Sequence, residues 1–313
     1  YFIAKNMGYV DRGGGREAKG ASLRRSKKNP GAAAARVKTE VKAAGPTVKV
    51  HPQPPSVSSS ATTSPLVDAS VAILSRKFDA DRDRIVERAL AEAHCVGAIA
   101  WCGEVERQEA LVTLCQDYPG RLFCAVGVHP DNVDRTNKKA HQGWVETTES
   151  LAKQSCCAAI LTGLDLSREQ ATHFSQEALL KLLFSSAKAL QTPIILHLHP
   201  DAETANRFVE LWPELLEILS GAEGVCVVLH NAVEAALRSK SLLTLLLEEQ
   251  SKGGSKSMFR IMVSAGGLFS GEEGVVESYR NALKMFSVDS MLLATDSPWH
   301  TPQNIPDEHM RLL

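Results

Sequence analysis

The sequence predicts an α/β chain folded as a (β/α)8 barrel of the TIM type, preceded by a basic extension. Three observations carry this. From Leu66 onward, short apolar runs alternate with amphipathic stretches. The runs are apolar at consecutive positions, which marks strands buried on both faces of a parallel sheet. Eight of them fall within about 245 residues, the size of a closed eight-stranded barrel. An open doubly wound sheet is the alternative architecture.

The expected strands are Leu66 to Ala72, Val96 to Trp101, Leu122 to Val128, Cys157 to Leu161, Pro193 to His197, Val225 to His230, Arg260 to Ser264 and Met291 to Thr295. Helical patterns separate them at Ala80 to His94, Glu106 to Asp117, His141 to Lys153, Thr172 to Leu190, Ala202 to Leu219, Val233 to Glu249 and Gly274 to Phe286. The stretch SKGGSKS at 251–257 reads as a surface loop. After Pro302 only a short piece remains, so a helix after the eighth strand is expected to be missing or cut short, leaving apolar surface for a partner to cover.

Residues 1–60 form a different kind of segment, and residues 61–313 the barrel domain. The first part holds 12 Lys+Arg against 3 Asp+Glu, net +9, and the rest 23 against 33, net −10. The first part also contains Gly13 to Gly15, Ala32 to Ala35 and a Pro/Ser tract from Pro52 to Ser60. Few large apolar residues are present to offset chain entropy, so alone this segment is expected to be disordered. Its basic residues Arg24, Arg25, Lys27, Lys28, Arg36 and Lys38 are the expected RNA contacts. Arg-rich, Ser-containing, acid-poor composition also has the character of a mitochondrial targeting region. Gly13 to Gly15 follow no strand and lack the Lys-Ser/Thr of a phosphate loop.

No apolar run approaches the ~18 to 20 residues of a membrane span, and no membrane contact is expected. Seven cysteines show no C-x-x-C spacing and sit mostly in apolar runs, which suggests free thiols in a reducing compartment.

In a barrel of this kind the chemistry lies at the carboxyl ends of the strands. There the sequence places His129 in GVHP, Asp165 in TGLD, His197 and His199 in ILHLHP, His230 in VVLHN and Asp296 in LLATDSPW. Imidazoles and a carboxylate converging from separate strands suit a divalent metal that acidifies bound water. The plain alternative is that His197 and His230 are hydrogen-bonded barrel residues and that Asp296 caps the turn before Pro298. Trp101, Trp144 and Trp299 are available to stack on bases, although single aromatics at strand and helix ends are more often core.

The order of these pieces resembles the TatD family of metal-dependent deoxyribonucleases over residues 66–305. The matching pieces are LVD at 66–68, FDADRDRIVERA at 78–89, AVGVHPDN at 125–132, GLDLSRE at 163–169, PIILH at 193–197, VVLH at 227–230 and LLATDSPW at 292–299. The resemblance implies a metallo-dependent hydrolase barrel with six ligand positions. His197, His230 and Asp296 match it. Where the family has Asp-x-His-x-His, this chain has Asp68, Ser70 and Ala72, and the bridging glutamate falls on Leu161. The Glu before the family's Thr-Asp pair is Ala294 here. By the same resemblance His129 stands on the substrate side, Asp165 orders a loop and Asp68 supports the absent histidines.

Loss of the bridge removes the two-metal clamp and leaves room for at most one Zn2+ or Mg2+, with His199 as a conceivable fourth ligand. The expectation is therefore a catalytically impaired TatD-like protein with no required cofactor. It would act as a structural or assembly subunit of a large ribonucleoprotein, such as a mitochondrial ribosome, its basic arm on RNA and its barrel surface on protein. The competing expectation is a one-metal deoxyribonuclease using His197, His230 and Asp296.

Overall fold

The computed structural model describes residues 65–299, apart from 93–94, 134–137, 223–224, 253–257, 265–267 and 269–272. The basic extension, with Arg24, Arg25, Lys27, Lys28, Arg36 and Lys38, lies outside these residues, as does the piece after Pro302.

Eight parallel strands run in sequence order around the sheet. They are β1 (Leu66–Val71), β2 (Cys95–Trp101), β3 (Leu122–Gly127), β4 (Cys157–Leu164), β5 (Ile194–Leu198), β6 (Val227–His230), β7 (Phe259–Ser264) and β8 (Met291–Ala294). Between them lie α1 (Arg82–Glu92), α2 (Gln108–Asp117), α3 (Lys138–Ala152), α4 (Gln170–Leu190), α5 (Ala202–Leu219), the short α6 (Ala232–Ala236), α7 (Lys240–Ser251) and α8 (Glu273–Leu283). Every residue of β4 and β7 is buried, as strands covered on both faces require. The closed barrel, not the open sheet, is the architecture.

The ring closes just beyond β8. Asp296 N donates to Ser70 O at 2.9 Å and Ala72 N to Ser297 O at 2.8 Å. Asp68 adds a side-chain fastening, accepting from Thr295 N at 3.0 Å and from Thr295 Oγ1 at 2.6 Å.

A large apolar core packs β4 to β7 against α4, α5 and α7, with Phe184, Phe208, Trp212 and Phe259 among its members. A smaller one packs β1 to β3 against α1 and α2 and includes Cys102, Cys115, Cys124, Cys156 and Cys157, used as small apolar side chains. Helix α5 runs through Pro213, which costs about 3 kcal/mol inside a helix. The buried face containing Phe208, Leu211, Trp212 and Leu215 offsets it.

Where the sequence suggests one helix from Val233 to Glu249, the structure has two. The break falls at Ser239, whose hydroxyl accepts from Leu242 N at 3.1 Å as the cap of α7 and donates to Asn206 Oδ1 at 2.7 Å. A side chain that satisfies the backbone locally competes with helix continuation. No helix of the described residues is long and apolar enough to cross a membrane.

Candidate metal centre at the barrel mouth

The strand ends are held by buried amides. Gln108, at the start of α2, accepts from Gly127 N at 3.0 Å and donates to Gly127 O and to Cys102 O, fixing the end of β3. Gln176 of α4 accepts from Asp165 N at 2.8 Å and donates to Asp165 O at 2.9 Å, doing the same for β4. Gly127 has φ +147°, and a Cβ there would stand 1.9 Å from Leu161 O. Only glycine lets β3 pass so close to β4 before the chain turns to His129.

His129 lies 6% exposed, its Nδ1 accepting from Asp131 N at 3.2 Å and its Nε2 buried without a hydrogen-bond partner. Burial lowers its pKa to about 4. One face of its ring stacks on Trp101, centroids 5.2 Å apart and planes 16° apart, and its centroid is 4.3 Å from that of His197.

His197 and His230 are register partners on β5 and β6. Their Nδ1 atoms are 3.1 Å apart, and His230 Nε2 is 2.9 Å from Asp296 Oδ1. Asp296 is 2% exposed and holds a left-handed backbone, φ +54°. Burial disfavours the His230 imidazolium, but the Asp296 carboxylate prevails and raises the His230 pKa above its ordinary value. Glu234, one turn beyond His230, was not singled out by sequence reading because it resembles an ordinary first-turn acid of a helix. Its Oε2 is buried without a hydrogen-bond partner, and burial raises its pKa.

The first-strand positions are filled by other chemistry. Ser70 Oγ accepts from Trp101 Nε1 at 3.0 Å, and Ala72 and Leu161 are buried apolar groups. Asp68, whose pKa burial pushes up to about 6, serves the β1–β8 seam. The three ligand positions at Ser70, Ala72 and Leu161 present no metal-ligating group, so the two-metal centre that the family resemblance implies does not fit this chain, as expected from the sequence.

The remaining residues form a row from His129 through His197 and His230 to Asp296. Among the described residues, one trio brings a ligand atom from each member within 4.8 Å of the others, and it is Asp165, His199 and Asp201. His199 Nδ1 faces Asp201 Oδ2 at 2.7 Å and Asp165 Oδ1 at 3.7 Å. These carboxylates are already employed. Asp201 caps α5 through Thr204 N at 2.8 Å, and Asp165 accepts from Ser167 N at 3.0 Å and Ser167 Oγ at 2.6 Å, consistent with loop ordering.

A parallel eight-stranded barrel with His and Asp at strand ends five, six and eight belongs to the class of metal-hydrolase barrels. The chain is a member of the TatD related DNase family, whose sequence model matches residues 67–311. It is 26% identical over 243 residues to the 3'-5' ssDNA/RNA exonuclease TatD of Pantoea sp. (strain At-9b), covering 77% of this chain and 82% of that protein. The same-named protein of Erwinia tasmaniensis is 25% identical over 247 residues, with the same coverage. Among solved structures, a TatD homologue of Escherichia coli K12 shares the fold at TM-score 0.57 and 18% identity, covering 79% of this chain and 87% of that one. A TatD-family hydrolase of Entamoeba histolytica does so at TM-score 0.54 and 16% identity, over 80% and 79%.

Proposed function

We propose that this TatD-family protein has given up two-metal hydrolysis and serves as a noncatalytic subunit of a ribonucleoprotein, in the mitochondrion, with its basic extension on RNA and its acidic barrel on protein. The observation that carries the reading is the content of the mouth. Ser70, Ala72 and Leu161 offer no ligands for a pair of cations, and Trp101 is hydrogen-bonded to the first of them. The charge division, net +9 in residues 1–60 against −10 in the rest, supports RNA as the partner of the extension.

Purified full-length chain is incubated with labelled single-stranded DNA and RNA in Mg2+, Mn2+ or Zn2+, and its RNA affinity is measured in parallel. No trimming is expected, together with RNA binding that weakens when Arg24, Arg25, Lys27 and Lys28 are changed to Glu. Trimming by the wild type that His230→Ala abolishes would overturn the noncatalytic reading. RNA binding unchanged by the four substitutions would overturn the role of the extension.

A residual one-metal phosphodiesterase is the second reading. The survival of His197, His230 and Asp296 as neighbours in a row, with His230 touching the other two, favours it, and so does the exonuclease name carried by the relatives. The same assay decides between the two.

A further inference from the structure

We propose that Asp165, His199 and Asp201 hold one divalent cation of the Zn2+ kind at the ends of β4 and β5, apart from the row that runs from His129 to Asp296. The site is independent of the noncatalytic reading above, because none of its three residues stands at a ligand position that the family resemblance implies.

The backbone brings the three together. Leu164 and Leu198 are register partners on β4 and β5, so the next residues, Asp165 and His199, leave the barrel side by side. His199 N donates to Leu164 O at 3.0 Å across the same gap. Gln176 holds both backbone groups of Asp165, and Asp201 is fixed as the cap of α5 through Thr204 N. Ligands held in place beforehand lose little freedom when an ion arrives.

One imidazole and two carboxylates give a borderline cation three protein ligands and leave a fourth position for water. His199 Nδ1 stands 2.7 Å from Asp201 Oδ2 and 3.7 Å from Asp165 Oδ1, and a ligand atom from each residue lies within 4.8 Å of the others. Ligands at about 2.0 to 2.2 Å from a tetrahedral ion are roughly 3.4 Å apart, so the His199–Asp201 pair parts by about 0.7 Å to admit it. In the metal-free chain His199 Nδ1 donates its proton to the Asp201 carboxylate. Metal binding shifts that proton to Nε2, on a ring 39% exposed, and frees the Nδ1 lone pair for the ion.

An independent observation lies at Asp165. Its side chain is 6% exposed, and both hydrogen bonds it accepts, from Ser167 N and Ser167 Oγ, go to Oδ1. Oδ2 accepts none from the described residues. A nearly buried carboxylate oxygen in that state is costly unless a cation meets it. The helix cap does not use up Asp201 either, since a carboxylate offers about four lone-pair sites and the one facing His199 passes to the ion. Bound there, the ion fastens the loop after β4 to the start of α5.

The full chain is stripped with a chelator and titrated with Co2+ and then Zn2+, following metal content, the visible Co2+ spectrum and the thermal midpoint. One ion per chain is expected, with a rise in the midpoint. His199→Gln and Asp165→Asn should each abolish the Co2+ band. Asp201→Asn keeps a good helix cap but offers a poorer ligand, so it should weaken binding while leaving the midpoint of the stripped chain near that of wild type. His230→Gln should leave binding unchanged, since His230 belongs to the separate row.

Folded wild type that takes up no metal overturns the inference, and so does binding lost in His230→Gln. Binding kept at full strength in a folded His199→Gln or Asp165→Asn overturns it too. Where circular dichroism shows one of these two unfolded, the other and Asp201→Asn decide. Metal uptake is read without substrate, so trimming of DNA or RNA bears on the noncatalytic reading alone.

Discussion

His129 is buried beside the ring of His197 and is uncharged at neutral pH, because burial takes its pKa to about 4. An unfolded histidine titrates near 6.5. The stability this difference supplies is therefore fully present above pH 6.5 and is lost as pH falls through 4, about 3 kcal/mol over the interval for the metal-free chain. His230 has the opposite sign. Its raised pKa supplies stability that is present below 6.5 and fades as pH rises through the raised value. Urea-unfolding midpoints of the stripped protein between pH 4 and 7 should fall on the acid side, and His129→Gln should flatten that fall. Gln108 is a second test at this scale. Gln108→Ala removes the clamp on Gly127 and Cys102 and leaves buried backbone groups unsatisfied, so a loss of about 3 kcal/mol is expected in chemical denaturation. The strand-end histidines were legible in the sequence because barrel chemistry has a fixed address. Gln108, Gln176 and Glu234 were not. Each is a polar residue in a helical pattern, where it looks like a solvated face, and only packing against the strand ends buries it.

The elements show where local signals suffice. Consecutive apolar residues located all eight strands to within a few positions, and the helix expected from Ala202 to Leu219 is α5. Asp201→Ala should cost about 1 kcal/mol in thermal unfolding as the loss of a helix cap. The GVHP motif has a backbone reason. Gly127→Ala places a methyl group where Leu161 O already stands, in a conformation that L residues avoid, and should destabilise the barrel by about 3 kcal/mol or more in urea titrations. The break at Ser239 was missed because the hydrophobic periodicity of Val233 to Glu249 continues across it. The interruption depends on Asn206, a residue of the preceding helix that no local window contains.

Over the whole molecule the charge is segregated, net +9 in residues 1–60 and −10 in the remainder. Binding of single-stranded RNA through the extension should weaken with salt by a log–log slope of roughly −0.7 for each phosphate contacted. Neutralising Arg24, Arg25, Lys27, Lys28, Arg36 and Lys38 should reduce that slope by roughly 4 if each contacts one phosphate, a change measurable by fluorescence titration across a salt series. The seam between Asp68 and Thr295 has a bearing on how such a chain is made. Its two partners lie 227 positions apart, so the acceptor leaves the synthesising ribosome long before its donors exist. Throughout that interval β1 is an exposed sheet edge, open to pairing with any other nascent strand. Residue 68 thus marks a sheet edge that cannot be closed until residue 295 has emerged.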